Sequence, residues 1–238
     1  MAQWWDSNRL LERGSRGDDV KRLQQALNKS FSTPISATGV FDAATEAQLK
    51  EFQRLNGLMD DGKAGPITQS VLFEGNYTFS ITRPPVVMQP LNLCWAASTE
   101  AVLKSTWVGW PKLNVMELKD KYATFLDPLS GFISEAGIEK VMVDHEASIK
   151  LMSGTALRIE KISAFLFRHR KQILLGDFLL GAGHVRVIFG VTVRNGQPGL
   201  MVMDPLLGYS IQDLRELQGV TASIFLAAPF DTTIINEL

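Results

Sequence analysis

Between Gly14 and Leu72 each break in an apolar helical repeat is marked by glycine, which confines this stretch to three short helices joined by tight turns. The first follows Gly14-Ser15-Arg16-Gly17. Asp18 and Asp19 suit its N-terminus, Val20, Leu23 and Leu27 recur on one face, and Lys21, Gln24 and Gln25 are expected on the wetter sides. After Thr38-Gly39-Val40-Phe41, Asp42 is the expected cap of a second helix. Ala44, Leu49, Phe52 and Leu55 would supply its apolar face, and Asn56-Gly57 its stop. Pro66, directly after Gly65, suits the first position of a third helix through Leu72.

From Glu74 to Pro85 the helix signals cease and a Pro pair appears, so the domain boundary is expected there. The expected division is a three-helix domain over residues 10–75 and a second domain over 78–238, the fold class being α+β. Thr78-Phe79-Ser80-Ile81 alternates and reads as an extended arm. The chain has 238 residues, enough for two domains, and 45% apolar residues, enough to fill their cores. Its one cysteine excludes an internal disulfide framework, so packing must hold the fold and the thiol is left for chemistry. A net charge of −1, with no Lys/Arg cluster, gives no reason to expect nucleic acid or an anionic membrane as a partner.

The first module resembles the small three-helix peptidoglycan-binding domain attached to many bacterial cell-wall enzymes. The resemblance rests on residues 14–20, Leu23-Gln24-Gln25-Ala26-Leu27-Asn28, Gly39-Val40-Phe41-Asp42, Thr45, Phe52-Gln53 and residues 61–68. It implies a wall glycan or stem peptide as ligand, to which Trp4, Trp5 and Tyr77 would add aromatic surface. Most of the matching residues make turns or core, so docking on the second domain or on another protein stays open as an alternative.

Cys94 lies in the run Gln89-Pro90-Leu91-Asn92-Leu93-Cys94-Trp95-Ala96-Ala97-Ser98, which opens a small-residue helix with Asn92 as its expected cap. A thiol at a helix N-terminus is favoured as thiolate by the exposed N–H groups, and an imidazolium nearby favours it further. Of three histidines, His145 falls in an acidic polar stretch and His169 at a solvated basic helix end. His184 instead follows Gly181-Ala182-Gly183 and enters the strand-like Val185–Val191, which makes it the expected base. A turn over residues 194–198 leads to a second strand ending at Asp204-Pro205. A hairpin of these strands brings Asp204 within reach of His184, to hold its tautomer and stabilise the imidazolium. The Cys94 backbone N–H and the Gln89 side-chain amide are expected to bind the oxyanion, with Asn92 as rival donor. One Cys and three scattered His offer no metal-ligand spacing, and no phosphate or dinucleotide glycine pattern precedes a helix, so neither metal nor cofactor is expected.

Gln89, Cys94-Trp95-Ala96-Ala97, Gly183-His184 and Asp204-Pro205 resemble the motifs of papain-like cysteine peptidases, closest to a bacterial branch, over about residues 86–228. The resemblance implies a helical half facing an antiparallel sheet. Residues 115–118, 133–141 and 162–167 would supply helices, and 172–176, the His184 and Asp204 strands and 222–226 the sheet. Two positions depart from papain: Gln89 precedes Cys94 by five residues rather than six, and Pro-Leu-Leu-Gly follows Asp204 instead of Ser-Trp-Gly.

Together the two resemblances imply a cysteine peptidase acting at a bacterial envelope. Its substrate is either a protein or peptide or, in the alternative, a peptidoglycan stem peptide. A binding protein with an inactive thiol site is the reading from another class. The opening residues lack the basic and long apolar segments of a secretory signal, so the chain is expected to be cytoplasmic as synthesised. Export by a type VI-like machine, as a toxin held in check by an immunity protein, fits that expectation.

Overall fold

The computed structural model describes residues 9–90, 92–107, 109, 111–179, 182–219, 223–228, 235, 236 and 238. Trp4, Trp5, Leu91, Gly181 and Ala222, named above, lie outside these. The chain divides into two compact units, Met1–Thr78 with Thr192–Pro198, and Phe79–Val191 with Gly199–Leu238.

The first unit holds helices α1 (Asp18–Ser30), α2 (Ala43–Leu55) and α3 (Pro66–Glu74). Asp42 caps α2 by accepting the Thr45 N–H, and Pro66 opens α3. Val20, Leu23, Leu27, Phe41, Leu49, Phe52, Ile67 and Val71 form the core. The inward face of α2 differs from the expected one. Ala44 and Leu55 are exposed, and Thr45 and Gln53 lie inside with Leu49 and Phe52. Positions 45, 49, 52 and 53 also share a helical face, and both polar side chains are bonded there, which removes the cost of burying them.

Gln24 likewise is fully buried rather than wet. Its amide donates to Val40 O and Thr45 Oγ1 and accepts the Gly39 N–H, all within 3.0 Å. Gln53 does the same for the next loop, donating to Asp61 Oδ1 and Lys63 O and accepting from the Gly62 N–H. Gln69 donates to Ala64 O and Arg9 O. Each helix thus sends one amide inward to hold the backbone of a loop.

The second unit carries helices α4 (Cys94–Leu103), α5 (Val115–Lys121), α6 (Glu135–Asp144), α7 (Ile159–His169) and α8 (Leu214–Gly219). The strands of the chain, of which residues 76–78, 192–194 and 197–198 fall in the first unit, are β1 (Asn76–Ser80), β2 (Ser148–Ser153), β3 (Ile173–Leu179), β4 (Ala182–Arg194), β5 (Gln197–Asp204), β6 (Gly208–Asp213) and β7 (Ser223–Ala228). They form one sheet in the order β2-β7-β3-β4-β5-β6, with β1 paired to β4. The pairs β2/β7, β3/β4, β3/β7 and β5/β6 are antiparallel. The architecture is α+β, a small helical region followed by helices on an antiparallel sheet. No helix among the described residues is long and apolar enough to cross a membrane.

Every residue of α4 is buried, and its small side chains explain how. Ala96, Ala97 and Ala101 let α5, α6 and the sheet approach, so that one core joins Trp95 and Val102 to Leu118, Val141, Val187, Met203 and Phe225. Ser98 Oγ donates to Val185 O at 2.8 Å and ties α4 to β4. Gly176, opposite Phe225 across β3/β7, is required by the ring: a Cβ there would lie 1.9 Å from its Cε1. β2, β6 and α8 were not expected. The helix predicted over 133–141 starts at Glu135, because Ser134 Oγ accepts the Gly137 N–H and Ile133 bridges Leu126.

Candidate active site

Cys94 is the first residue of α4, at the end where helical N–H groups lack partners within the helix. Asn92 does not cap it. Leu93 occupies the cap position with no side-chain cap bond, and Asn92 Nδ2 donates instead to Ser130 O at 2.7 Å, a direction that also commits the rival oxyanion donor elsewhere. Cys94 is 5% exposed, and its Sγ lies 3.8 Å from Gly183 O, beside the start of β4.

His184 is the third residue of β4 and Asp204 the last of β5. His184 Nε2 and Asp204 Oδ2 are 3.0 Å apart, which leaves the opposite ring nitrogen for Cys94, whose thiol helps to raise the proton affinity of the ring. Asp204 divides its carboxylate. Oδ1 accepts the Leu206 and Leu207 N–H groups at 2.7 and 3.3 Å and closes the turn after β5, while Oδ2 faces the imidazole.

The electrostatics follow from these contacts. Burial works to strip His184 of its proton, but the bonds to Asp204 and Cys94 prevail and the ring is pushed up to about 9. Burial opposes the charge on Asp204, and the bonds from His184 and the Leu206 N–H overcome it, bringing the carboxyl down to about 2. Imidazolium and carboxylate therefore coexist at neutral pH.

The folded state gains stability from each charge only where folded and unfolded affinities for the proton differ. The His184 contribution is complete below its ordinary value of 6.5 and is lost as pH rises toward 9. That of Asp204 is complete above 3.8 and is lost as pH falls toward 2. Denaturation midpoints measured across pH are expected to decline through both windows, and replacing His184 with Gln should flatten the upper decline.

Gln89 sits in the segment before α4, where its backbone N–H donates to Pro205 O at 3.0 Å, fixing that segment against the Asp204 turn. The other two histidines play no part in this cluster. His145, expected in a polar stretch, is 1% exposed at the end of α6 with Nδ1 2.7 Å from Val141 O, and burial lowers its proton affinity. His169 closes α7 against Phe165. No group of His, Cys, Asp and Glu that could hold a metal ion occurs among the described residues.

Arg186 and Asp177 were not foreseen as part of the site. Arg186 Nε donates to Asp204 Oδ2 at 3.0 Å and its Nη1 to Asp177 Oδ2 at 2.6 Å. The available signal was alternation: in a strand, residues 184 and 186 share a face.

Among curated proteins the chain is similar to a spore cortex-lytic enzyme of Bacillus cereus, 38% identical over 66 residues, or 28% of this chain. The match takes in 26% of that enzyme, so the chain spans about a quarter of the relative's length. Two solved structures overlie much of the chain. The peptidase domain of Streptococcus ComA, a bifunctional ABC transporter involved in quorum sensing, is 12% identical, covering 61% of this chain and 98% of that one with a TM-score of 0.40. A double glycine motif protease from an AMS/PCAT transporter, in complex with the leader peptide, is 17% identical, covering 63% and 94% with a TM-score of 0.41. At the amino-terminal end, residues 16–72 match the family described as "Putative peptidoglycan binding domain".

Proposed function

We propose that the second unit is a cysteine peptidase that hydrolyses peptide amide bonds through Cys94, His184 and Asp204. The observation that carries this reading is the convergence of a helix-N-terminal thiol, an imidazole held by a buried carboxylate, and a proton affinity of that imidazole raised to about 9. The Cys94 thiolate attacks the substrate carbonyl carbon, and the Cys94 N–H with the Gln89 amide receives the oxyanion. As the C–N bond breaks, His184 gives its proton to the leaving amine. Water then attacks the thioester with the neutral ring as base, which takes its proton, and the collapse releases the acid and restores the thiolate beside the imidazolium. No step requires a cofactor.

A second reading places the scissile amide in a peptidoglycan stem peptide. It is favoured by the family match of residues 16–72 and by the wall-lytic relative that shares this region. On either reading the first module raises the local concentration of substrate by holding the enzyme at a wall.

Incubation with purified peptidoglycan and, separately, with a denatured protein separates the two. Mass spectrometry of the products should show new amine and carboxyl ends in one substrate with wild type and in neither with Cys94→Ala. Equal products with both enzymes, or none with wild type in either substrate, would sink the peptidase reading.

A further inference from the structure

Hydrogen bonds around the site form a closed circuit that begins and ends on His184. Its ring Nε2 reaches Asp204 Oδ2, which Arg186 Nε also reaches; Arg186 Nη1 continues to Asp177 Oδ2; and Asp177 Oδ1 accepts the His184 backbone N–H at 3.1 Å. The sheet register builds this. Asp177 pairs with His184 across β3 and β4, and Arg186 is two residues on from His184 along the same face. All members are largely shielded from water, with side-chain exposures of 18% for His184, 15% for Arg186, 12% for Asp177 and 5% for Asp204.

We infer that Arg186, anchored by Asp177, is a positioning residue of the thiol site: it clamps Asp204 from the side opposite the turn and shares with His184 the oxygen that orients the imidazole. The inference rests on the peptidase reading above and adds to it a control on how firmly His184 keeps its proton.

The physical basis is a competition for one oxygen. Asp204 Oδ2 accepts from both the imidazole and the guanidinium, and a guanidinium carries its charge throughout the working range of enzymes. It therefore keeps the carboxylate ionised while repelling the imidazolium next to it. Asp177 moderates that repulsion, since its carboxylate pairs with the same guanidinium and lies against the His184 backbone. Cys94 on α4, Asp177 on β3, Arg186 on β4 and Asp204 on β5 are the titratable and charged groups that face His184 among the described residues. Too firm a hold would leave His184 a poor acid toward the leaving amine, and too weak a hold would leave the thiolate without its counterion. A carboxylate, a guanidinium and a second carboxylate in sequence set the balance between them.

Opposite substitutions give opposite signs, which a merely structural role would not. Alkylation of Cys94 by iodoacetate, an anion drawn by the imidazolium, slows as His184 loses its proton and so reports that step with no substrate needed. In the full chain, Arg186→Gln should move this basic limb up by about one pH unit and Asp177→Asn should move it down by a similar amount. Thermal unfolding is recorded beside each profile. Should Arg186→Gln fail to fold, Arg186→Lys, which keeps the charge, should leave the limb in place while Asp177→Asn lowers it. A wild-type limb that no variant moves, or that both charge-removing variants move the same way, overturns the inference alone. A wild-type profile with no basic limb overturns the peptidase reading and the inference with it.

Discussion

Replacing Cys94 with alanine is expected to lower kcat/KM for amide hydrolysis by about 10⁴-fold or more, to a level set by binding and oxyanion contacts alone. In the proposed mechanism the sulfur is the atom that bonds to the substrate, and none of the groups around it can take that part. Cys94 is buried in the core beside Trp95 and Ala96, yet alanine fits the space with little strain, so the folded protein should persist. The substitution also acts on His184. The Cys94 thiol is one of the influences that raise His184, and its loss should let the ring give up its proton at lower pH. Substrate turnover measures the first effect and an NMR titration of the ring the second. Turnover by the alanine variant within tenfold of wild type would exclude Cys94 as nucleophile.

Asp204→Asn is expected to be the next most damaging change, lowering kcat by about 10³-fold or more. This carboxylate is surrounded by donors on every side. Leu206 and Leu207 N–H groups approach Oδ1, and His184 Nε2 and Arg186 Nε approach Oδ2. An Asn amide must turn its NH₂ toward one pair. Facing the ring, it forces the imidazole into the other tautomer, with its proton on the nitrogen meant to serve Cys94. Facing the turn, it loses the bonds that hold the end of β5. Either way a buried donor is left without its acceptor, which should cost about 1–3 kcal/mol of stability. Steady-state kinetics with denaturant unfolding of the same variant test this, and a variant with wild-type kcat would show that the carboxylate charge is not needed.

The three-helix region was legible because its signals are local: a glycine or a cap residue acts within one turn of where it stands, as Asp42 and Pro66 do. Its inward face was less so. Counting apolar residues put Ala44 and Leu55 inside, whereas the Gln24 amide of α1 and the loop N–H of Gly62 made Thr45 and Gln53 the better fillers. In the second unit, Cys94, His184 and Asp204 stood out as reactive types at the ends of recognisable elements. Arg186 and Asp177 did not, because their meaning depends on strand register, and an Arg in an apolar strand has no local mark of the carboxylates it will meet. Asn92 misled for the converse reason: it is a good cap residue by type, but the chain enters α4 through Leu93 and turns Asn92 toward Ser130. The edge strand β6, GYSIQD, and the short β2 carried too few branched or aromatic residues to read as strands.

The inward amides of Gln24, Gln53 and Gln69 bear on what kinship in the first region records. They fix the loop backbones from beneath, so the side chains pointing outward from those loops answer to a separate selection. Descent can then preserve the glutamines and glycines for the sake of the scaffold while the outer surface drifts, acquires a new ligand or loses one. Two proteins sharing these residues share a scaffold, and what each binds must be compared on the residues that face away from it.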